Sequence, residues 1–286
     1  MTRFSLVVPF KQLPPGYARS LGPPPDPPVR PKPAATLALL REGRAGLEVL
    51  LLKRGNRTRF IPGAFVFPGG RVDEEDASPD LHALMENLSP GEADTRLGIS
   101  GSHPPGLAYW AAAFRETFEE TGILLGAAGG GYRSVPMEPG TANGRLRISL
   151  HRGEMSFRAV LEAMGTTVGG GRAAYIGHWV TPVQERYRYD TRFFGTEIPA
   201  ECPVHPDGTE LVQALWITPA EASIRNREGS LPMVFPTIKT LEALEPFPTP
   251  REALDALGKM KIPRLLPRVE ETRDGIRMVL EGRQAV

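Results

Sequence analysis

Glu116, Glu119 and Glu120 stand together in the stretch Arg115-Glu116-Thr117-Phe118-Glu119-Glu120-Thr121-Gly122. The periodicity of Leu107–Thr121 is helical, and Gly122 is a good C-terminal stop. On a helix, Trp110, Phe114, Phe118 and Thr121 share one face, which should be buried. The three glutamates project on roughly the opposite side, within an arc of about 100°. Glu116 and Glu120 form an i,i+4 pair of like charge, which is mildly destabilising. All three also fall in the last two turns, where the helix dipole disfavours anions. Most charge clusters are solvated helix faces, but two local rules broken together mark a functional site. Three carboxylates from one helix make a hard-oxygen set suited to Mg²⁺ or Mn²⁺, with phosphate oxygens and waters completing the coordination. Arg115 would orient one of these carboxylates or touch a phosphate.

Other elements must position that helix. Thr36–Leu40 and Leu47–Leu52 are apolar runs around a polar, Gly-containing turn, which is a hairpin signature. A short strand at Ala64–Phe67 ends in Pro68-Gly69-Gly70. Downstream, Ile176–Val180, Tyr189–Phe194, Leu211–Ile217 and Ile276–Leu280 read as strands. Phe157–Met164, Pro219–Arg225, Thr237–Leu244 and residues 250–260 read as helices. The glycine runs 126–131 and 169–171 read as loops. Ten prolines precede residue 34, so residues 1–33 are expected to be an extended proline-rich arm. The fold class is α+β, a mixed α/β domain over residues 34–245, with residues 246–286 a C-terminal extension packed on it.

Gly70 and the nine residues Arg115–Ile123 resemble the Nudix box, G-x5-E-x7-R-E-U-x-E-E-x-G-U, where U is bulky and apolar. Thr117 occupies the first U, and Asp76 stands where the box has Glu. Between Asp76 and Arg115 lie 38 residues instead of seven, an insertion of 31 at about 77–107. It carries Leu81, Leu84, Met85 and Leu88 and is expected to pack beside the active-site entrance. FVFPGG before the box and LVQALWITPAEA after it are similar to the family's entry and close. The resemblance implies a Nudix-type α/β/α sandwich with a mixed sheet and hydrolysis of a diphosphate linked to another moiety X. It implies that Glu116, Glu119, Glu120 and the Gly70 carbonyl hold Mg²⁺ or Mn²⁺. Glu119, Glu120 and Arg115 would be the catalytic residues.

Just upstream, Leu50-Leu51-Leu52-Lys53-Arg54-Gly55, Arg59, Gly63 and Phe67-Pro68-Gly69-Gly70 resemble the pattern of the coenzyme A diphosphatase type. Gly55 is the one departure, standing where Ser is usual. That likeness implies that Arg54 and Arg59 bind a coenzyme A derivative, whose phosphates suit guanidinium groups. The products would be 3′,5′-ADP and a 4′-phosphopantetheine species. The alternatives are the same chemistry on ADP-ribose or another nucleoside diphosphate derivative, and a Nudix-fold nucleotide sensor without turnover. Many members dimerise, so a homodimer is a further expectation.

The rest of the sequence narrows the field. Lys plus Arg total 34 against 33 Asp plus Glu, a balance of +1, which argues against a broad nucleic-acid surface. No run approaches the ~20 apolar residues of a membrane span. Cys202 is the sole cysteine, so a disulfide within the chain and an all-cysteine zinc site are excluded, and a cytoplasmic location is expected. The histidines, His178 included, show no metal-ligand spacing. Trp179 and Trp216 are expected in the core.

Overall fold

The computed structural model describes residues 3–56, 58, 61–126, 131–169 and 172–281. In chain order the strands are β1 (Arg3–Pro9), β2 (Lys32–Gly43), β3 (Gly46–Arg54), β4 (Phe65–Val66), β5 (Gly69–Arg71), β6 (Met85–Glu86) and β7 (Ile123–Leu125). They continue with β8 (Tyr132–Ser134), β9 (Val168–Gly169), β10 (Ala174–Val180), β11 (Tyr189–Glu197), β12 (Leu211–Ile217), β13 (Arg268–Glu271) and β14 (Gly275–Glu281). The α-helices are α1 (Tyr17–Ser20), α2 (Pro79–His82), α3 (Pro90–Leu97), α4 (Gly106–Thr121) and α5 (Ala142–His151). After them come α6 (Phe157–Ala163), α7 (Pro219–Glu228), α8 (Phe235–Leu244) and α9 (Pro250–Leu257).

The central sheet runs β10-β11-β2-β3-β12, with β4 added to β3 and β5 to β2. β11 lies parallel to β2 and the other pairs are antiparallel, so the sheet is mixed. The hairpin expected from the apolar runs is present: β2 and β3 pair out to Gly43↔Gly46 around a two-residue turn. Both faces of this sheet are covered, which is why β3 reads Leu50-Leu51-Leu52 rather than alternating. Leu37, Leu39, Leu50 and Leu52 enter the core beneath α4, while Ala38, Leu40, Val49 and Leu51 enter a second core on the opposite face. Leu241, Leu244, Ala253 and Leu257 of α8 and α9 fill that second core. The result is the α/β/α sandwich.

Of the expected arm, residues 22–30 are exposed and outside helix and strand, whereas residues 3–20 are packed on the domain. β1 pairs in antiparallel register with β14 from Arg3↔Glu281 to Pro9↔Gly275, and Val8, Leu13 and Tyr17 are buried in the second core. The prolines begin in earnest only at Pro14, and before it Pro9 is alone, placed at a strand end where its missing N–H costs no ladder bond. The C-terminal extension and the N-terminal residues thus form one small sheet, β1-β14-β13, against the same face.

The inserted segment is ordered as well. Leu81, Met85, Leu88, Ala93 and Leu97 join the core beneath α4, and β6 pairs with β9 in parallel. Asp94 of α3 accepts a hydrogen bond from the Gly106 amide at 2.6 Å. The N-cap of α4 is Pro105, which offers no side-chain acceptor, so the insertion itself satisfies an orphan donor of α4.

Candidate active site

α4 begins one residue earlier than the sequence pattern places it and stops at Gly122, whose φ of 76° is left-handed. A Cβ there would sit 2.3 Å from the Val135 carbonyl oxygen, so glycine is required for both reasons. Trp110, Phe114, Phe118 and Thr121 are fully buried, as the periodicity predicts. Glu120 is buried too, so the glutamate side of α4 is not a solvated face.

That side faces β5. The Gly69 amide donates to Glu120 Oε2 at 2.9 Å. The Glu116 carboxylate lies so close on Gly70 that a Cβ built there would stand 2.3 Å from its carbon. Glycine at 70 is therefore a spatial requirement of the carboxylate cluster. Arg115 gathers the remaining groups. Its Nε and Nη2 donate to the two oxygens of Asp76 at 2.9 and 2.8 Å, Nη2 also to the Arg71 carbonyl, and Nη1 to Glu116 at 2.8 Å and Glu119 at 3.1 Å. Asp76, 1% exposed, also accepts from the Asp73 amide in a capping box that fixes the turn. One methylene fewer than the Glu of the box does not prevent its carboxylate from holding both the loop and the arginine.

The electrostatics are strained in one direction. Burial pushes the Glu116 carboxyl up to about 7, with Glu119 adding to the rise against the pull of Arg115. Glu119 is raised by burial against the same arginine. Glu120 is raised well above the usual carboxylate range by burial and by Glu116, opposed by the Gly69 amide. Carboxylates desolvated beside one another favour an added positive charge.

Two further groups offset the adverse position at the helix C-terminus. Arg147 of α5, fully buried, donates to the carbonyls of Glu119, Val135 and His205. The amides of His205 and Asp207 donate to the carbonyls of Thr121 and Glu120. A buried guanidinium at the C-terminal end of the helix neutralises the dipole where the glutamates gather. α5 and Arg147 were not expected from the sequence; the one local signal is an arginine set between Leu146 and Ile148.

Arg54, at the end of β3, lines a cavity of about 450 Å³ together with Gly69, Gly70, Glu116 and Glu120. Its Nη2 lies 3.8 Å from Glu210, an exposed residue at the mouth. The Gly55 amide donates to the Glu210 carbonyl, and a Cβ at Gly55 would come within 3.3 Å of the Thr209 carbonyl oxygen, a tight contact. Arg59 lies outside the described residues. A second cavity, of about 750 Å³, opens on the other side of Glu116 and Glu119, where the insertion contributes Ser78, Asp80 and Leu81.

Among the described residues no three His, Cys, Asp or Glu side chains are gathered as a ready ligand set. Arg115 Nη1 spans Glu116 and Glu119, and Glu120 is turned to the Gly69 amide. The donors nonetheless fit a divalent cation, because they are all hard oxygens and all carry raised carboxyl pKa values that a cation would lower. His178 is hydrogen-bonded to Asp190 at 2.6 Å, away from these carboxylates, in agreement with a packed residue. Trp179 is buried as expected, whereas Trp216 is half-buried beneath the Arg41 guanidinium, 4.3 Å from its ring centre.

Comparison with known proteins decides the family. The family model for the NUDT19 Nudix domain matches residues 30–244. The chain belongs to the Nudix family. A crystal structure of a NUDIX hydrolase from Alicyclobacillus acidocaldarius superposes with a TM-score of 0.67 at 31% identity, covering 80% of this chain and 97% of that one. Two curated relatives are named acyl-coenzyme A diphosphatase NUDT19. The Gallus gallus protein is 30% identical over 63% of this chain and 56% of its own length. The Homo sapiens protein is 29% identical over 69% of this chain and 57% of its own. The chain thus spans a little over half the length of these relatives. Nudix hydrolases generally use divalent metal ions. Among the described residues no helix is long and apolar enough to cross a membrane.

Proposed function

We propose that this chain is a diphosphatase that cleaves coenzyme A or acyl-coenzyme A to 3′,5′-ADP and a 4′-phosphopantetheine species with Mg²⁺ or Mn²⁺. The observation that carries the reading is the buried carboxylate cluster packed on Gly69-Gly70 and locked by Arg115 to Asp76, opening into the cavity that Arg54 lines. The relatives' names supply the substrate class.

Glu116, Glu119, Glu120 and the Gly70 carbonyl would hold the cation. When bound, it neutralises diphosphate charge and lowers the pKa of a coordinated water. Arg115 is the positioning residue: anchored on Asp76 and the Arg71 carbonyl, it fixes the rotamers of Glu116 and Glu119. Arg54 binds a phosphate at the cavity mouth, and Arg59 is assigned the same task from the motif. The Gly69 amide holds Glu120 Oε2 and so fixes the orientation in which this carboxylate would meet the cation.

The test is release of 3′,5′-ADP from coenzyme A and acetyl-coenzyme A with Mg²⁺ or Mn²⁺, against an EDTA blank and against ADP-ribose. Metal-dependent cleavage of the coenzyme A substrates, lost by at least about a hundredfold in Glu120→Gln, is the expected result. Cleavage of ADP-ribose alone would keep the carboxylate chemistry and discard the Arg54 argument. Binding without turnover would make the protein a sensor.

A further inference from the structure

The cavity that holds the carboxylates has a far wall outside the matched Nudix domain. Tyr17 lies before residue 30, and Pro267 and Met278 lie beyond residue 244. Trp179, Phe193 and Val234 complete an apolar surface there. Beside that surface lies a hydrogen-bonded pair of titratable side chains. Tyr17 Oη donates to Glu185 Oε1 at 2.5 Å, both residues are buried, and both line the cavity. The pairing of β1 with β14 holds the segment bearing Tyr17 against the core, so this wall is built by residues from both ends of the chain.

A carboxylate buried among apolar groups is costly, and a tyrosine hydroxyl satisfies only one of its two oxygens. Burial holds the Glu185 carboxyl up at about 7, against the pull of the Tyr17 bond and Arg188. Such a group accepts a hydrogen bond from an incoming N–H or O–H, and when ionised it repels a second anion across a poorly screened cavity. The lining thus sets Arg54 beside the carboxylates Glu116 and Glu120, and adds an apolar surface in which Glu185 is a further acidic acceptor.

We propose that the Tyr17–Glu185 pair selects the moiety X of the substrate, accepting a neutral chain that bears amide or hydroxyl groups and turning away an X that carries further anionic groups. This rests on the diphosphatase reading and adds the specificity residues for it. The N-terminal segment is therefore part of the substrate site.

The test compares coenzyme A with diadenosine tetraphosphate, whose X carries extra phosphates, at pH 8, where Glu185 is ionised. Glu185→Gln keeps the shape and an acceptor but removes the charge. It is expected to raise kcat/KM on diadenosine tetraphosphate relative to coenzyme A by about tenfold, a gain that structural damage could not produce. Tyr17→Phe is expected to raise KM for coenzyme A about fivefold and to raise KM more than it lowers kcat. If Tyr17→Phe does not fold, Glu185→Gln alone decides the matter. Unchanged discrimination in Glu185→Gln, in an otherwise active enzyme, would overturn the role of the pair alone. A wild type inactive on coenzyme A, acetyl-coenzyme A and ADP-ribose would overturn the diphosphatase reading and this inference with it.

Discussion

Glu116→Gln should make the cation-free protein more stable while removing its activity. The Glu116 carboxyl sits at about 7 in the fold against an ordinary 4.5. Folding therefore disfavours its ionised form, and the sign follows: the fold binds the proton that the unfolded chain has released. The penalty is small below the unfolded value, grows as pH rises through the interval between the two values, and is complete above about 7. At 1.36 kcal/mol per unit it reaches about 3 kcal/mol at pH 8 and less than about 1 kcal/mol at pH 5. The side chain keeps 19% of its surface accessible at the cavity, so water takes part of that cost and about 3 kcal/mol is the upper figure. A glutamine retains the acceptor that Arg115 Nη1 uses but carries no charge to desolvate. In EDTA at pH 8, thermal unfolding should place Glu116→Gln above wild type by at most about 6–12 °C, converting at about 2–4 °C per kcal/mol for a chain of this size. The gap should narrow at pH 5. It should also narrow on adding Mn²⁺, which stabilises only a native state that binds it. A variant that melts at or below wild type at pH 8, or a gap independent of pH, would refute the claim that these carboxylates are held against their own desolvation.

Three other substitutions test the same site. Gly70→Ala places a methyl 2.3 Å from the Glu116 carboxyl carbon, so turnover should fall at least about a hundredfold with only a small change in melting temperature. Asp76→Asn leaves the 11%-exposed Arg115 side chain without its bidentate partner; about 3 kcal/mol of stability and most activity should be lost, which urea unfolding and steady-state assays would report. Gly122→Ala meets the Val135 carbonyl oxygen at 2.3 Å from a left-handed backbone, and a loss above about 2 kcal/mol in urea unfolding is expected.

The parts of this site that could be read from the sequence are local in it. The helix carrying Glu116, Glu119 and Glu120 was legible to within one residue because its apolar stripe and its stop at Gly122 lie within a single element. The β2–β3 hairpin was legible for the same reason. What could not be read depends on partners far apart in the chain. β1 is a strand only because β14 offers it an edge from the other terminus, and composition alone suggested an arm. Arg147 supports the end of α4 from α5, and Tyr17 finds Glu185 at a separation of 168 residues. Single-sequence periodicity carries no information about such pairings.

The insertion shows how a motif can be broken in sequence and intact in space. Asp76 and Arg115 are 39 positions apart, yet they make two hydrogen bonds below 3 Å. The intervening residues leave from Ala77 and return at Gly106, where α3 and α4 approach so closely that a Cβ on Gly106 would meet the Asp94 amide nitrogen at 2.7 Å. Both ends of the excursion are therefore fixed on α4, one through the Asp76–Arg115 pair and the other through the Asp94–Gly106 bond. Loop-closure entropy grows only slowly with length, and here Leu81, Met85, Leu88 and Leu97 return core burial for the ordering of the added residues. The catalytic geometry can tolerate an insertion of this size because its cost is met within the insertion and its two junctions bear on the same helix.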